Sequence, residues 1–512
     1  MGLCGQRNDI NKKNTSMKEL NKLTVKKSTA PERIVQFGEG NFLRAFADWI
    51  VWQMNRHAGF NSSVVIVQPI RQGRVADLEA QDCLYHVNLR GVQDGQPVDS
   101  LDCVDSVSRA MNPYDDFAAY MDLATQPDLR FIISNTTEAG IAFDESCQLS
   151  DTPAASYPGK LTQWLYRRFQ FFGGDPKRGM IIMPCELIFH NGKHLRECIL
   201  RYIDFWSDAL GEDYAPFRTW FLKSNYVCST LVDRIVQGAP GAEVRSQIQA
   251  RLGYADGMIV QGEVFHLWVI EAPENMSCDE LRAEFPAERA GLNVKIVESE
   301  VPYHARKVTL LNGSHTVLSP VSWLSGVDIV RDACNHPLLG RYVCKVLYEE
   351  LMPTLDLPAD ELKAYADSVL ERFRNPYVDH QLTSIMLNAF PKFCTRDLPA
   401  LTAFQQRRGC LPCGLVLGLA ALICYYKGDA RADGTPCVPN DDARIVELLH
   451  SLWQAGDVQK LVQGVLAAKD LIWDGTDLNT IAGLPELLGE YIGRIQSDGM
   501  LATVEAVLQN AY

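Results

Sequence analysis

A chain of 512 residues, 47% hydrophobic and 22% charged, has the balance of a folded globular protein, and its length suits two domains better than one. Its formal charge of −14 argues against a general nucleic-acid surface, which needs a basic face to neutralise phosphates. The longest apolar stretch, GLVLGLAALICYY at 414–426, is too short to span a bilayer and reads as a buried helix, so no membrane partner is expected. Fifteen cysteines without a regular framework suit reduced thiols in a cytoplasmic protein, and no secretory signal is visible. The single Cys-x-x-Cys, Cys410 and Cys413, has no second pair or histidine close in sequence, so no metal site is expected there.

Residues 1–30 are rich in Lys and poor in large apolar groups, and they read as a basic, flexible tail. From 31 to 290 the pattern alternates. The runs RIVQF (33–37), SVVIVQP (63–69), RFIISN (130–135) and GMIIMPC (179–185) are short, β-branched and almost wholly apolar, as strands buried on both faces of a parallel sheet are. Helix-like stretches at 42–57, 113–125 and 158–172 lie between them, and FHLWVIE (265–271) and NVKIVES (293–299) are later strand candidates. This alternation predicts an α/β fold, a doubly wound domain. From 291 to 512, apolar patterns of helical length follow one another at 303–320, 338–351, 360–373, 379–390, 411–427, 443–454 and 498–509, which predicts an all-helical second domain.

The first strand runs into Gly38-Glu39-Gly40 and then a helix, the setting of a dinucleotide loop. The first glycine permits the tight turn, the second lets a pyrophosphate approach the backbone, and the helix start offers free N–H groups. Leu43 occupies the place of the third glycine, so the loop alone supports a cofactor site and a plain turn equally. The second strand ends in Gln68 rather than the acid that normally holds a ribose 2′-hydroxyl, with Arg71 and Arg74 following, which leaves NAD and NADP both open. SNTTEAG (134–140) stands at the carboxyl end of a buried strand, where open α/β sheets bind ligands, and equally fits an ordinary capped turn.

The stretch YHARKVTLLNGSHTVL (303–318), wound at 100° per residue, puts Lys307, Asn312 and His315 within one arc of a helix. A carbonyl reduced by hydride needs a proton at its oxygen, and a lysine in a desolvated cleft surrenders one more readily. An asparagine amide stabilises the growing negative charge, and a histidine fixes a substrate hydroxyl or the lysine. A solvated lysine, a local break at Asn312-Gly313 and a structural histidine would give the same letters.

Taken together, these residues resemble the mannitol dehydrogenase family of polyol-specific long-chain dehydrogenases. The matching motifs are Gly38-x-Gly40-x-Phe42-x-Arg44, then Thr137-Glu138-x-Gly140, Val232-Asp233-Arg234-Ile235, Lys307-x₄-Asn312-x₂-His315 and RFRNP at 372–376. The resemblance implies a Rossmann-type domain followed by a helical one, with NAD as cofactor, no metal and the active site between the domains. It implies Lys307 as general acid/base, assisted by Asn312 and His315. Cofactor contacts are expected from Phe37, Gly38, Glu39, Gly40, Asn41, Phe42 and Arg44, from Gln68, from Asn135, Thr136, Thr137 and Glu138, and from Asp233.

Departures from the family pattern fall around the substrate. Cys185-Glu186-Leu187 stands where many polyol members have Cys-Asp-Asn, so an oxyanion donor from that Asn is missing, although Asn191 lies close by in sequence. These changes fit a small sugar-acid substrate, whose carboxylate would want a cation: Arg44, Arg372, Arg374 and Lys392 are candidates, with His380 beside them. A fructuronate reductase, a mannitol-type polyol dehydrogenase and a non-catalytic nucleotide-binding sensor are the rival readings, and a monomer or small homo-oligomer is expected.

Overall fold

The short apolar runs form strands, and their pairing explains why nearly every residue in them is apolar. The computed structural model describes residues 17–93, 95–137 and 139–509. In chain order the first strands are β1 (Glu32–Phe37), β2 (Ser63–Val67), β3 (Tyr85–Gln93), β4 (Gln96–Val104), β5 (Val107–Met111), β6 (Phe131–Ser134), β7 (Ile181–Pro184) and β8 (Tyr226–Val227). Six of them make a parallel sheet in the order β5-β2-β1-β6-β7-β8. Both faces are covered. Ile34, Val64, Ile66, Phe131 and Ile133 pack with Trp49 and Ile50 on one side. Val35, Val65, Val67 and Ile132 pack with Leu161 and Trp164 on the other. Residues on alternate faces are thus equally buried, and no polar alternation survives.

Strand order reverses at β1, which lies between β2 and β6; Phe37 pairs with Val67 on one side and Ser134 on the other. The carboxyl ends of β1 and β6 therefore flank the switch point at which such sheets bind ligands. Later strands are β9 (Ser229–Asp233), β10 (Val236–Gly238), β11 (Val260–Glu263), β12 (Leu267–Glu271) and β13 (Val294–Val297). They build two smaller sheets, β10-β11-β3-β4 and β13-β12-β9.

The chain divides into two units. One holds the described residues up to Leu89 together with Asp99–Glu298; the other holds Arg90–Val98 and the residues from Ser299 onward. The expected flexible tail needs correction over its described part. Leu20 is fully buried, its N–H donates to the Ala255 carbonyl (2.8 Å), and the Ala255 N–H donates to that of Lys18 (2.7 Å). An apolar anchor and two backbone hydrogen bonds fix this segment. The helix expected at 42–57 is two helices, Asn41–Ala45 and Ala47–His57, broken at Phe46, whose ring packs on Phe42 and Trp268.

The second unit is helical apart from its Arg90–Val98 segment. The apolar run near 414–426 becomes helix Cys413–Tyr425, buried almost throughout. Gly418 lets it approach helix Ser314–Leu324 closely, since a Cβ there would lie 2.6 Å from that of Val317. No helix among the described residues is long and apolar enough to cross a membrane. The helix expected at 379–390 is interrupted: Leu382–Ile385 and Ala389–Arg396 flank Asn388, which takes a left-handed conformation (φ 49°). The segment 303–320 is not uniformly α-helical. Val301–Arg306 is α-helix, Lys307–Gly313 is π-helix and Ser314–Leu324 is α-helix.

Candidate active site

In the first unit the expected cofactor residues form a backbone cradle. Gly38 has φ 123°, donates its N–H to the Val67 carbonyl (3.0 Å), and has Asn135 O 3.0 Å and Leu43 Cδ1 3.1 Å from where a Cβ would stand. Leu43, in place of the third glycine, therefore packs under the turn without obstructing it. A Cβ on Gly40 would meet nothing within 4 Å, so the space above it is open, as a close-approaching pyrophosphate requires. Phe37 is a core residue, its ring against Tyr120 and Tyr157, and its carbonyl accepts from the Asn135 N–H. It can serve a cofactor only through its backbone.

Several side chains expected at a ligand are spent on the protein. Arg44 is 1% exposed, and its guanidinium donates to the carbonyls of Glu39 and Met258 and to Asn41 Oδ1. It holds the glycine loop from behind, which corrects its assignment to a substrate carboxylate. Gln68 donates to the carbonyls of Ile70 and Arg71 and accepts from the Val75 N–H, so it shapes the loop after β2 rather than standing ready for a ribose. The Glu39 side chain reaches that same loop, where Oε1 faces the Arg74 N–H at 3.4 Å. The Arg74 guanidinium is paired with Asp77 (2.9 Å), and that of Arg71 lies over the Tyr114 ring.

At the end of β6, Asn135 donates to the Cys185 carbonyl. Buried Glu186 accepts from Ser134 Oγ, the Thr136 N–H and Thr136 Oγ1. Burial raises the Glu186 carboxyl above its ordinary pKa, against the pull of these hydrogen bonds. Thr137 sits at φ 87°, unusual for a β-branched residue and typical of strain held at ligand loops. A Cβ on Gly140 would come within 2.2 Å of Thr136 Oγ1, so only glycine fits. Glu138 lies outside the described residues. Asp233 is buried at the end of β9. Asn191 donates to three carbonyls, those of Pro184, Glu186 and Thr230, and accepts from the Thr230 N–H, so it has no capacity left as an oxyanion donor.

The second unit holds the residues expected to carry the chemistry. The π-helix changes the angular argument for Lys307 and Asn312. With i→i+5 hydrogen bonding, residues five apart stack one turn above the other, as residues four apart do in an α-helix. The Lys-x₄-Asn spacing therefore puts both side chains on one face because the segment is π-helical, and His315 follows three residues on in the α-helix. The Lys307 ammonium and the Asn312 amide make no hydrogen bond among the described residues, and the shielded His315 Nε2 makes none either.

The His315 ring stacks on Phe373 (centroids 4.1 Å apart) and meets the edge of His380 (5.2 Å). Burial, with His380, Arg372 and Arg396 nearby, pushes its pKa well below the ordinary histidine value, so it is neutral at physiological pH. Arg372 is thus on the His315 side, and His380 is at the ring itself. Lys392 donates to the Ile385 carbonyl (2.8 Å), and burial and then Arg396 lower its pKa. Arg374 is directed elsewhere, into a separate cavity, which corrects its grouping with the other substrate cations.

Arg396 and Asp397 were not singled out by the sequence, and Phe373 entered only as part of the RFRNP motif. Asp397 is fully buried, neither carboxyl oxygen has a partner among the described residues, and Oδ1 lies 2.8 Å from where a Gly313 Cβ would be. Burial raises its pKa well above the ordinary value, against the pull of Arg396, and its side chain backs the π-helix. The one available signal was an Arg-Asp pair inside the apolar stretch 389–404.

Comparison with known proteins agrees with this picture. The mannitol dehydrogenase Rossmann domain model matches residues 32–283, and the mannitol dehydrogenase C-terminal domain model matches 300–484. A protein of Phocaeicola vulgatus named altronate oxidoreductase is 58% identical over 96% of this chain and its own whole length. One of that name from Bacillus subtilis is 42% identical over 96% of this chain and 98% of its own. Among solved structures, mannitol 2-dehydrogenase of Pseudomonas fluorescens, in ternary complex with NAD and D-mannitol, has a TM-score of 0.65 at 22% identity, covering 96% of this chain and all of that one. A substrate-free D-sorbitol dehydrogenase has a TM-score of 0.77 at 21% identity, covering 95% and 100%. These two likenesses concern the fold; the sequence matches go further, and the chain belongs to the mannitol dehydrogenase family.

Proposed function

We propose that the chain is an NAD-dependent oxidoreductase that interconverts D-tagaturonate and D-altronate. The observation that carries the reading is the end-to-end identity of 58% with a relative named altronate oxidoreductase. The uncommitted Lys307, Asn312 and His315 set supports it chemically. Bound nicotinamide supplies or takes up the hydride; the protein's task is to place the sugar acid and move one proton. In reduction, Lys307 Nζ hands a proton to the carbonyl oxygen as negative charge grows there. The Asn312 amide donates to the same oxygen and stabilises that charge. Neutral His315, fixed by Phe373 and His380, orients a neighbouring hydroxyl. Arg372 and Lys392 supply positive charge for the carboxylate. In oxidation the same groups run in reverse, with Lys307 as base.

The glycine loop fits a dinucleotide, with its open space above Gly40 and its braced turn. The choice of NAD over NADP rests on Glu39. Its carboxylate stands at the loop after β2, where the adenosine ribose binds in such folds, so it would accept from a 2′-hydroxyl and repel a 2′-phosphate.

The test is oxidation of NADH, and in parallel NADPH, by the purified protein with D-tagaturonate, D-fructuronate and D-fructose. Rapid oxidation of NADH with D-tagaturonate alone is the expected result. Preference for another ketose would replace the substrate assignment, and preference for NADPH would overturn the role of Glu39. Nucleotide binding without turnover on any of the three would favour a sensor.

A further inference from the structure

A cavity of about 640 Å³ lies in the helical unit, formed by helix Pro337–Cys344, the π-helical segment Lys345–Leu351 and Arg374. Lys307, Asn312, His315 and Arg372 do not line it. Among the described residues three cations do, Arg341, Lys345 and Arg374, against one carboxylate, Glu349. The Lys345 side chain is only 5% exposed, and its ammonium lies 3.2 Å from Glu349. Arg341 and Arg374 are exposed at the rim, and their guanidinium groups make no hydrogen bond or ion pair among the described residues. Elsewhere in this unit Arg306, Arg331, Arg407 and Arg431 each hold a carboxylate at 3.0 Å or less. In an acidic chain, two guanidinium groups without a partner among the described residues, lining one cavity, are conspicuous.

His336 adds a donor. Its Nδ1 accepts from the N–H groups of Leu338 and Leu339 at 3.3 Å each, which leaves the proton of the neutral ring on Nε2. We propose that this cavity binds a phosphate dianion, free or as the head of a small phosphate monoester. The excess of two positive charges matches a dianion. Guanidinium forks fit tetrahedral oxyanions in bidentate fashion, and the volume leaves room for an ester body.

Calorimetric titration of the full chain with inorganic phosphate and with glycerol 3-phosphate, at constant ionic strength set by potassium chloride, tests this. Saturable binding is expected, weakened by roughly tenfold or more in Arg341→Ala/Arg374→Ala. Both arginines are exposed, so the fold should persist, and an unchanged melting temperature without phosphate checks this; Arg341→Gln/Arg374→Gln repeats the test in a milder form. Tighter binding of glycerol 3-phosphate would identify the ligand as a monoester, and equal affinity would identify it as phosphate itself. Heats no larger than those of the chloride control would overturn the proposal. So would full affinity in the double variants, which would place the phosphate elsewhere, for instance at the glycine loop.

Discussion

The glycine loop and the π-helical segment treat their polar side chains in opposite ways. Around the loop, Arg44, Gln68, Asn135, Glu186 and Asn191 each spend their hydrogen bonds on the protein itself. On the π-helix the Lys307 and Asn312 side chains, and just beyond it the Nε2 of His315, have no hydrogen-bond partner among the described residues. A shielded polar atom without a partner is costly, and native folds rarely tolerate one without a reason. The comparison therefore separates roles. In the proposed function, the committed side chains brace a loop whose backbone would meet the cofactor, and the uncommitted ones would meet the substrate.

Each variant below breaks one side of this contrast. The largest effect belongs to Lys307→Ala: turnover should fall by about 10²–10⁴-fold, read as steady-state kcat, because the general acid is gone. Near-normal turnover would remove Lys307 from the chemistry. Arg44→Met should cost about 2–4 kcal/mol of unfolding free energy, since three acceptors, the buried Met258 carbonyl among them, lose their donor, and should raise the KM for NADH while kcat changes little. A selective loss of kcat would return Arg44 to the substrate. His315→Asn should lower kcat roughly tenfold without moving the melting temperature much.

The smallest effect concerns His266, the committed counterpart of His315. Its Nε2 accepts from the Asn293 N–H, and burial and then the Arg234 guanidinium push it down to about 3. The unfolded chain protonates this histidine near pH 6.5, whereas the fold keeps it neutral until about 3. Stability should therefore fall as pH drops through that window and be insensitive to this group above it. Urea unfolding at about pH 7 and about pH 5 should show a loss of roughly 1–2 kcal/mol that His266→Asn removes, with turnover at neutral pH preserved. An unchanged pH dependence in the variant would show that another group carries it.

How far the sequence could be read follows from the same physics. β1, β2, β6 and β7 were legible because burial on both faces writes a continuous apolar run. The β3–β4 pair was not: β3 alternates Tyr85, Val87 and Leu89 with His86, Asn88 and Arg90 and so writes no continuous run, and the partly exposed β4 mixes polar and apolar residues without a clear period. The Lys307, Asn312 and His315 spacing was legible as a motif, but apolar periodicity cannot tell a π-helical turn from an α-helical one, so the reason for that spacing appeared only in the backbone. Charge alone could not sort the arginines either. Arg44 is buried as a brace, Arg372 lies on the His315 side, and Arg374, two residues on past the end of helix Ala359–Phe373, lines a different cavity. Tertiary contacts decide which cation meets a ligand, and these are not written in local sequence.

The most direct test of this division of labour is NADH affinity, measured by fluorescence titration on Lys307→Ala and Gly38→Val side by side. Valine at position 38 would be strained at φ 123° and would crowd the Asn135 carbonyl. The expected result is that Lys307→Ala binds NADH as the unaltered chain does while Gly38→Val loses most of its affinity. Loss of NADH binding in Lys307→Ala, or normal binding in Gly38→Val, would contradict the account.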